Sequence, residues 1–544
     1  MRTNLQLQMQ MMLNRSDDAH WTLPRPETNN QELEIRLRSS DCMYLRAPHV
    51  PIGYAFDSIL EKEPLLAGFQ EAIDRFPIMA GRLKKYSSGR PYGLSVKGSR
   101  GSPIFFRARD WAPPESTETP RASSWNKFFS APVKDELFET DSSMPLIVAY
   151  VTWLPKSEQT VLTVTFVHVA MDGSAMSHFI NTWSHFAGVS AGVAPMPRKA
   201  PPLPDLDREC SFDPEILQEV HDNMASEQDG RMTQLQVATM LPTWVSTRFT
   251  AIRSDFVLNL EKVKALKETV SQDLPEGAWV SSYEVSMAMV LKLLHLADYG
   301  DAASTKPIIT RAIVNTRGRG TLDSKTYVGN ALAYARIRIE PADHDAPGLT
   351  WLARTAHQIH EQLRTKMKDK ALLDRVHYVY EDGVMRRGAM RNIATRLAWI
   401  KPWLVNIVSN DSICNSWLGY NWFGVDFGTE NAAPYKMYVP KSFSQRRMNF
   451  IAPRSETEVM LRMHIHKQKL GRFLRAIERY GLPVTRLDNA AEDAEEVDDE
   501  NQGNEASTRS SGLRGSLARL ANALKASPDK NPEDLVAVTS EPDA

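Results

Sequence analysis

The sequence predicts an α+β protein of two domains, on three observations. At 544 residues the chain exceeds what one core usually supports. Stretches of strand-like alternation and of helix-like spacing are mixed without a regular βαβ rhythm, which argues against a doubly wound sheet. Between them lies Ala194–Asp205, with five prolines in twelve residues, a stretch that excludes regular helix and central strand.

In chain order, residues 1–32 are polar, rich in Asn, Gln and Pro, and read as a loosely held leader. Residues 33–190 form the first domain. Within it, Val161–Val167 alternates as a strand, with Leu162, Val164, Phe166 and His168 on one face. Met176, Phe179, Ile180, Trp183 and Phe186 then recur at helical spacing. Residues 191–240 are the proline-rich crossover, with a helix expected over 213–227. The second domain, 241–487, opens with a strand at Ser254–Asn259 and a helix at Leu260–Thr269. A second helix follows from Val280, capped by Ser281 or Ser282, and Val459–His466 alternates as a strand. Past Leu487 the composition changes: Asp488–Glu500 holds eight acidic residues and no basic one, so 488–544 is expected to be a disordered tail. Within it Leu513, Leu517, Leu520 and Leu524 share a helical face, a docking helix for a partner or membrane surface or, more commonly, a transient helix.

Composition narrows the function classes. The net charge of −1 makes no electrostatic case for nucleic acid or anionic membrane. Three cysteines, Cys42, Cys210 and Cys414, are odd in number and widely spaced, which suits a reducing compartment rather than a disulfide framework. Cys414 reads as a small buried thiol. The first ten residues lack the apolar core of a signal peptide, and no apolar run approaches the ~20 residues of a membrane helix. A soluble, cytoplasmic protein without integral membrane segments is the expectation.

The chemistry concentrates at His168-Val-Ala-Met-Asp172-Gly173. The period changes here from two to 3.6, so the imidazole stands at a strand end just before a turn that opens a helix. Its ordinary pKa of about 6.5 lets it take a proton from a hydroxyl or an amine. Taken alone, the same pattern also describes a core histidine followed by an ordinary Asp-Gly turn.

A second constellation lies about 250 residues downstream: Asn415-Ser416-Trp417, and after it Asp426-Phe427-Gly428. Between the two come Arg317-Gly-Arg319 and Gly329-Asn330-Ala331, and near the start Ser40-Asp41 and Phe76-Pro-Ile-Met-Ala-Gly-Arg82-Leu83. In this order the motifs resemble the BAHD acyltransferases, acyl-CoA-dependent enzymes of the chloramphenicol-acetyltransferase-like superfamily, from about residue 33 to about 487. Thr429-Glu430 departs from the Trp-Gly that usually ends the family's Asp-Phe-Gly-Trp-Gly.

The resemblance implies two similar mixed-sheet domains with an active-site tunnel between them. It implies acyl transfer from acyl-CoA, a co-substrate rather than a bound cofactor, to a hydroxyl or amine of a small specialised metabolite. His168 is then the general base, and the acceptor attacks directly without an acyl-enzyme, in keeping with the absence of Gly-x-Ser-x-Gly. Asn415 stands where the family carries a Thr or Ser donor and is the oxyanion candidate, with Trp417 shaping the pocket; a turn cap and a core tryptophan are the plainer meanings. Asp172 and Gly173 are structural at the site. Arg317 is the first candidate for the arginine that pairs with Asp172, and Arg319 the second. Asp426 and Gly428 are structural as well. Ser444, Arg446 and Arg447 offer hydroxyl and guanidinium groups to the donor's phosphates, although a charged surface turn is the commoner meaning. His464 and His466 share a strand face without a third ligand, so no metal is expected.

Two other functions compete. A condensation-type enzyme using a carrier-protein thioester usually has two adjacent histidines, whereas Val167 occupies the first place here and no carrier module is fused. A non-catalytic ligand-binding homologue is suggested by Thr429-Glu430 and opposed by the intact His168.

Overall fold

The computed structural model describes residues 20–22, 33–44, 49–86, 92–96, 101–113, 125, 127–129, 145–207, 212–223, 251–319, 322, 324–386, 411–429, 433–439 and 448–487. Ser444, Arg446 and Arg447, the 488–544 tail and most of the 1–32 leader lie outside them, as does the end of the crossover.

The described strands form three sheets. The first draws on β1 (His20–Thr22), β3 (Val50–Phe56), β6 (Ile104–Ala108), β7 (Ile147–Leu154), β8 (Gln159–Phe166) and β13 (Lys436–Tyr438), in the order β1-β6-β7-β8-β3-β13. A small antiparallel sheet pairs β2 (Glu34–Arg36), β5 (Tyr92–Ser95) and β4 (Arg82–Lys85). The third is built from β9 (Ala251–Asn259), β10 (Ile308–Asn315), β11 (Leu332–Ile339), β12 (Ser412–Ser416), β14 (Met448–Pro453), β15 (Glu458–His466) and β16 (Val484–Arg486), ordered β11-β10-β12-β14-β15-β9-β16. Both large sheets are mixed: β6 and β7 run parallel, as do β10, β12 and β14, and the remaining pairs are antiparallel. The architecture is therefore α+β, as the sequence predicts.

The longer described helices are α1 (Lys62–Arg75), α2 (Gly173–Ala191), α3 (Pro214–Asp222), α4 (Leu260–Ser271), α5 (Ser282–Tyr299), α6 (Thr350–Lys368), α7 (Lys370–Glu381) and α8 (Leu470–Tyr480). α5 starts where expected: Ser281 is its N-cap and forms a capping box with Glu284. α3 is shorter than the predicted 213–227, with Asp213 as its cap and Pro214 at the first helical position. No described helix is long and apolar enough to cross a membrane.

Two features tie the halves of the chain together. Strand β13 comes from the second half but pairs with β3 of the first sheet, Met437 opposite Tyr54. Arg462 on β15, ion-paired with Asp255, donates to the carbonyl of Val439 at 2.6 Å and ties that strap to the third sheet. One apolar cluster, from Leu37 to Val484, runs through both halves.

Candidate functional site

β8 ends at Phe166, and the next residues turn through His168 and Met171 before α2 begins. Asp172 caps that helix, accepting from the backbone N–H groups of Ser174 and Ala175, both at 3.1 Å. The same carboxylate receives a bidentate pair from Arg317, Nη1 to Oδ2 and Nη2 to Oδ1, each at 2.8 Å. The N–H of Ala331 adds a fifth donor at 3.0 Å. Arg317 spends its remaining donors on the carbonyls of Tyr327 and Gly329, each at 2.8 Å, and on Asn315 Oδ1. Both side chains are buried. Asp172 faces its cap, Arg317 and Ala331 and takes no part in a contact with the imidazole. Arg319 makes no such pair; it lies in a tight turn with Leu322.

His168 is partly buried. Its Nδ1 is enclosed near its own carbonyl and the Asn330 amide without a close hydrogen bond to either, which leaves Nε2 as the nitrogen available to a proton. Burial pushes its pKa below the ordinary histidine value, against the opposing pull of its own carbonyl, the Asp172 carboxylate, the Asn330 amide and Asp41. A neutral imidazole is thereby favoured, the form a base requires.

Sequence reasoning assigned no role to Tyr44, Asp41 or Asn330. The Tyr44 ring lies flat against the imidazole, with centroids 4.4 Å apart and 14° between planes. Asp41 accepts from the N–H of Asn330 at 2.7 Å and from its Nδ2 at 3.1 Å. Asn330 Nδ2 also donates to the carbonyl of His168 at 3.0 Å. The quoted fragments Ser40-Asp41 and Gly329-Asn330-Ala331 contain two of the three, while no motif flags Tyr44.

Trp417, directly after β12, reaches this turn, and Asn415 lies two residues before it on that strand. Trp417 packs edge-on to Phe450 and flat on Trp422, and its indole covers the start of α2 so closely that a Cβ at Gly173 would stand 2.9 Å from Nε1. That contact is the physical demand for glycine after Asp172. Gly173→Ala is expected to cost about 1–3 kcal/mol by overpacking, read as a lower melting temperature and altered tryptophan fluorescence; an unchanged melt would mean that the indole has room to give. Asn415 precedes Trp417 by one strand repeat, about 6.6 Å, and is only partly buried. Its side chain makes no hydrogen bond among the described residues, so its amide N–H is available to a ligand. Behind it Cys414 is fully buried, and burial pushes its thiol up to about 12, a non-nucleophilic group.

Asp426, Phe427 and Gly428 stand elsewhere. The backbone N–H groups of Asp426 and Phe427 donate to Ser184 Oγ at 2.9 and 3.0 Å, eleven residues into α2 from Gly173 and so roughly 16 Å along its axis. Gly428 adopts φ +92° and its N–H donates to Asp426 Oδ1. Thr429 closes the turn by donating from Oγ1 to the Asp426 carbonyl at 2.7 Å; Glu430 lies outside the described residues. This loop braces α2 and is remote from the imidazole. His464 is buried and His466 partly so, and among the described residues no three His, Cys, Asp or Glu side chains gather as metal ligands would.

The chain is similar to several known proteins. The model of the Transferase family matches residues 23–479. The phenolic glucoside malonyltransferase 1 of Bemisia tabaci is 24% identical over 207 residues, 36% of this chain and 42% of that relative's length. Among solved structures, F. graminearum TRI101 complexed with coenzyme A and T-2 mycotoxin superposes with a TM-score of 0.56 at 13% identity, covering 84% of this chain and all of that one. Vinorine synthase gives a TM-score of 0.53 at 13% identity, over 84% of this chain and 95% of that one.

Proposed function

The chain belongs to the Transferase family, the BAHD acyltransferases, and on that footing we propose that it moves an acyl group from a coenzyme A thioester to a hydroxyl or amine of a small metabolite, with His168 as the general base. The observation that carries the reading is the half-enclosed His168 imidazole, Nδ1 buried and Nε2 free, at a turn whose backbone is held by Arg317–Asp172 and Asp41–Asn330.

In this scheme the acceptor oxygen or nitrogen attacks the thioester carbonyl as Nε2 of His168 takes its proton. The resulting oxyanion receives a hydrogen bond from the Asn415 amide. As the tetrahedral intermediate collapses, the C–S bond breaks and the imidazolium returns the proton to the departing coenzyme A thiolate. No acyl-enzyme forms. Two domains closing over the reactants, residues 33–190 and 241–487, would exclude water from this exchange.

The direct test is thiol release by the purified protein across a panel of acyl-CoA donors and hydroxylated metabolites. Malonyl-CoA with a phenolic glucoside is the first pair to try, given the activity named for the Bemisia relative. Absence of acceptor-dependent thiol release across the panel would favour a ligand-binding role.

Asn415 has its own test. An oxyanion donor meets its charge only in the transition state, so Asn415→Ala is expected to lower kcat roughly 10²–10³-fold with little change in KM. Asn415→Leu should be equally impaired, and Asn415→Thr should recover part of the rate through its hydroxyl. If Asn415→Thr is no faster than Asn415→Leu, the oxyanion role fails.

A further inference from the structure

We propose that Tyr44 is a positioning residue for His168: its ring, stacked face to face on the imidazole, fixes the plane of the base and stabilises the imidazolium formed when the acceptor gives up its proton. The inference rests on the reading of His168 as the base.

Three observations carry it. Ring centroids 4.4 Å apart at 14° are a close parallel stack, with the π face of Tyr44 over the imidazole. Nδ1 of His168 is enclosed near its own main-chain carbonyl and the Asn330 amide, without a close hydrogen bond to either, so the stack is the tighter hold on the ring plane. The turn that carries Tyr44 also grips the backbone of His168. The N–H of Tyr44 donates to the Asp41 carbonyl at 2.9 Å, and the Asp41 carboxylate holds Asn330, whose amide donates to the His168 carbonyl at 3.0 Å. One short segment, Ser39–Tyr44, therefore sets both the main chain and the ring plane of the base.

Tyr44 is itself held firmly. It is buried, its hydroxyl lies toward Tyr334, and burial raises its pKa far above the ordinary phenol value, so the ring is neutral at any working pH. An electron-rich neutral face against imidazole gains attraction when the imidazole becomes a cation. That gain belongs to the state in which the proton has moved, so it raises kcat rather than tightening substrate binding. The charged groups whose fields reach His168 are Asp172, paired with Arg317, and Asp41; substitution at Tyr44 leaves all three in place.

The experiment compares the wild-type protein with Tyr44→Phe, Tyr44→Leu and a form carrying a ring-fluorinated phenylalanine at position 44, each checked by thermal melting. Two readouts are taken: acceptor-dependent thiol release with malonyl-CoA against pH, and the titration of the His168 ring signal in histidine-labelled protein, assigned by its loss in His168→Ala. Tyr44→Phe should match the wild type within about twofold. The fluorinated ring keeps the shape but withdraws charge from the face, and should lower kcat several-fold at unchanged KM. Tyr44→Leu keeps the site filled without a π face and should lower kcat about tenfold. In both, the His168 titration should move to lower pH, by about half a unit or more.

A fluorinated variant that folds and matches Tyr44→Phe in kcat and in His168 titration overturns the proposal, whatever the fate of Tyr44→Leu. Failure of the base itself looks different: there His168→Ala retains turnover while the ring titration still responds to substitution at Tyr44.

Discussion

Replacing His168 with alanine is expected to lower the acyl-transfer rate about 10²–10⁴-fold while leaving the fold intact. The side chain is removable because little depends on it. Its Nδ1 makes no close hydrogen bond whose loss would orphan a partner, and the main chain at this turn is held independently, through Asn330 to the His168 carbonyl and through Asp172 to Arg317. The loss should fall on kcat, since the proton moves only in the chemical step. A pH profile adds a second signature. Burial lowers the pKa of this imidazole, so the wild-type acid limb should lie below the ordinary histidine value of about 6.5: the base stays neutral, and active, to lower pH than a solvated histidine would. Steady-state kinetics with calorimetric melting decide the matter. Near-normal turnover in a folded His168→Ala protein would remove the base assignment, and an acid limb well above 6.5 would contradict the enclosed site.

Local periodicity made part of this arrangement readable. The change from alternation over Val161–Val167 to helical spacing from Met176 onward marks the strand–turn–helix that carries His168, because side chains repeat every two residues on a strand and every 3.6 on a helix, although the strand is buried on both faces. The cap of α5 was legible as Ser281 or Ser282 for the same local reason, and Ser281 takes it. What escaped is what the chain assembles at a distance. Asp41 and Asn330 are 289 residues apart, and nothing around either announces the other. Tyr44 sits after a single helical turn, too short to show a period, and its stacking partner lies on another element. Strand β13 is three residues long and takes its place by backbone pairing to β3 in the other half of the chain, which side-chain pattern does not encode. The Asp-Phe-Gly loop was visible as a motif, but only its docking on Ser184 separates it from the imidazole turn. Residues 194–204 hold neither helix nor strand, as their five prolines lead one to expect.

The second large effect is expected at Asp172, in stability. Asp172→Asn preserves shape almost perfectly and still should cost about 3–5 kcal/mol, the penalty for leaving one member of a buried ion pair uncompensated. The hydrogen bonding shows why an amide is no substitute. Oδ1 accepts from Ser174, Ala175 and Arg317 Nη2, and Oδ2 accepts from Arg317 Nη1 and Ala331. Both oxygens face donors only, so whichever way an asparagine is turned its NH₂ confronts N–H groups, either the guanidinium and Ala331 or the helix cap. Arg317 would keep its charge in a buried site with carbonyls alone for company. Activity should fall with the folded population and with the loosening of the His168 turn, whereas the residual folded enzyme keeps an ordinary dependence on His168. A double-mutant cycle separates this from a chemical role. Arg317→Met alone strands the carboxylate, and the pair Asp172→Asn with Arg317→Met should lose clearly less than the sum of the two single losses, because the second change removes the charge that the first left unpaired. Melting curves of the four proteins give that coupling directly. If Asp172→Asn melts with the wild type yet is inactive, the carboxylate acts on the reacting groups, and its bidentate pairing with Arg317 would have to open during turnover.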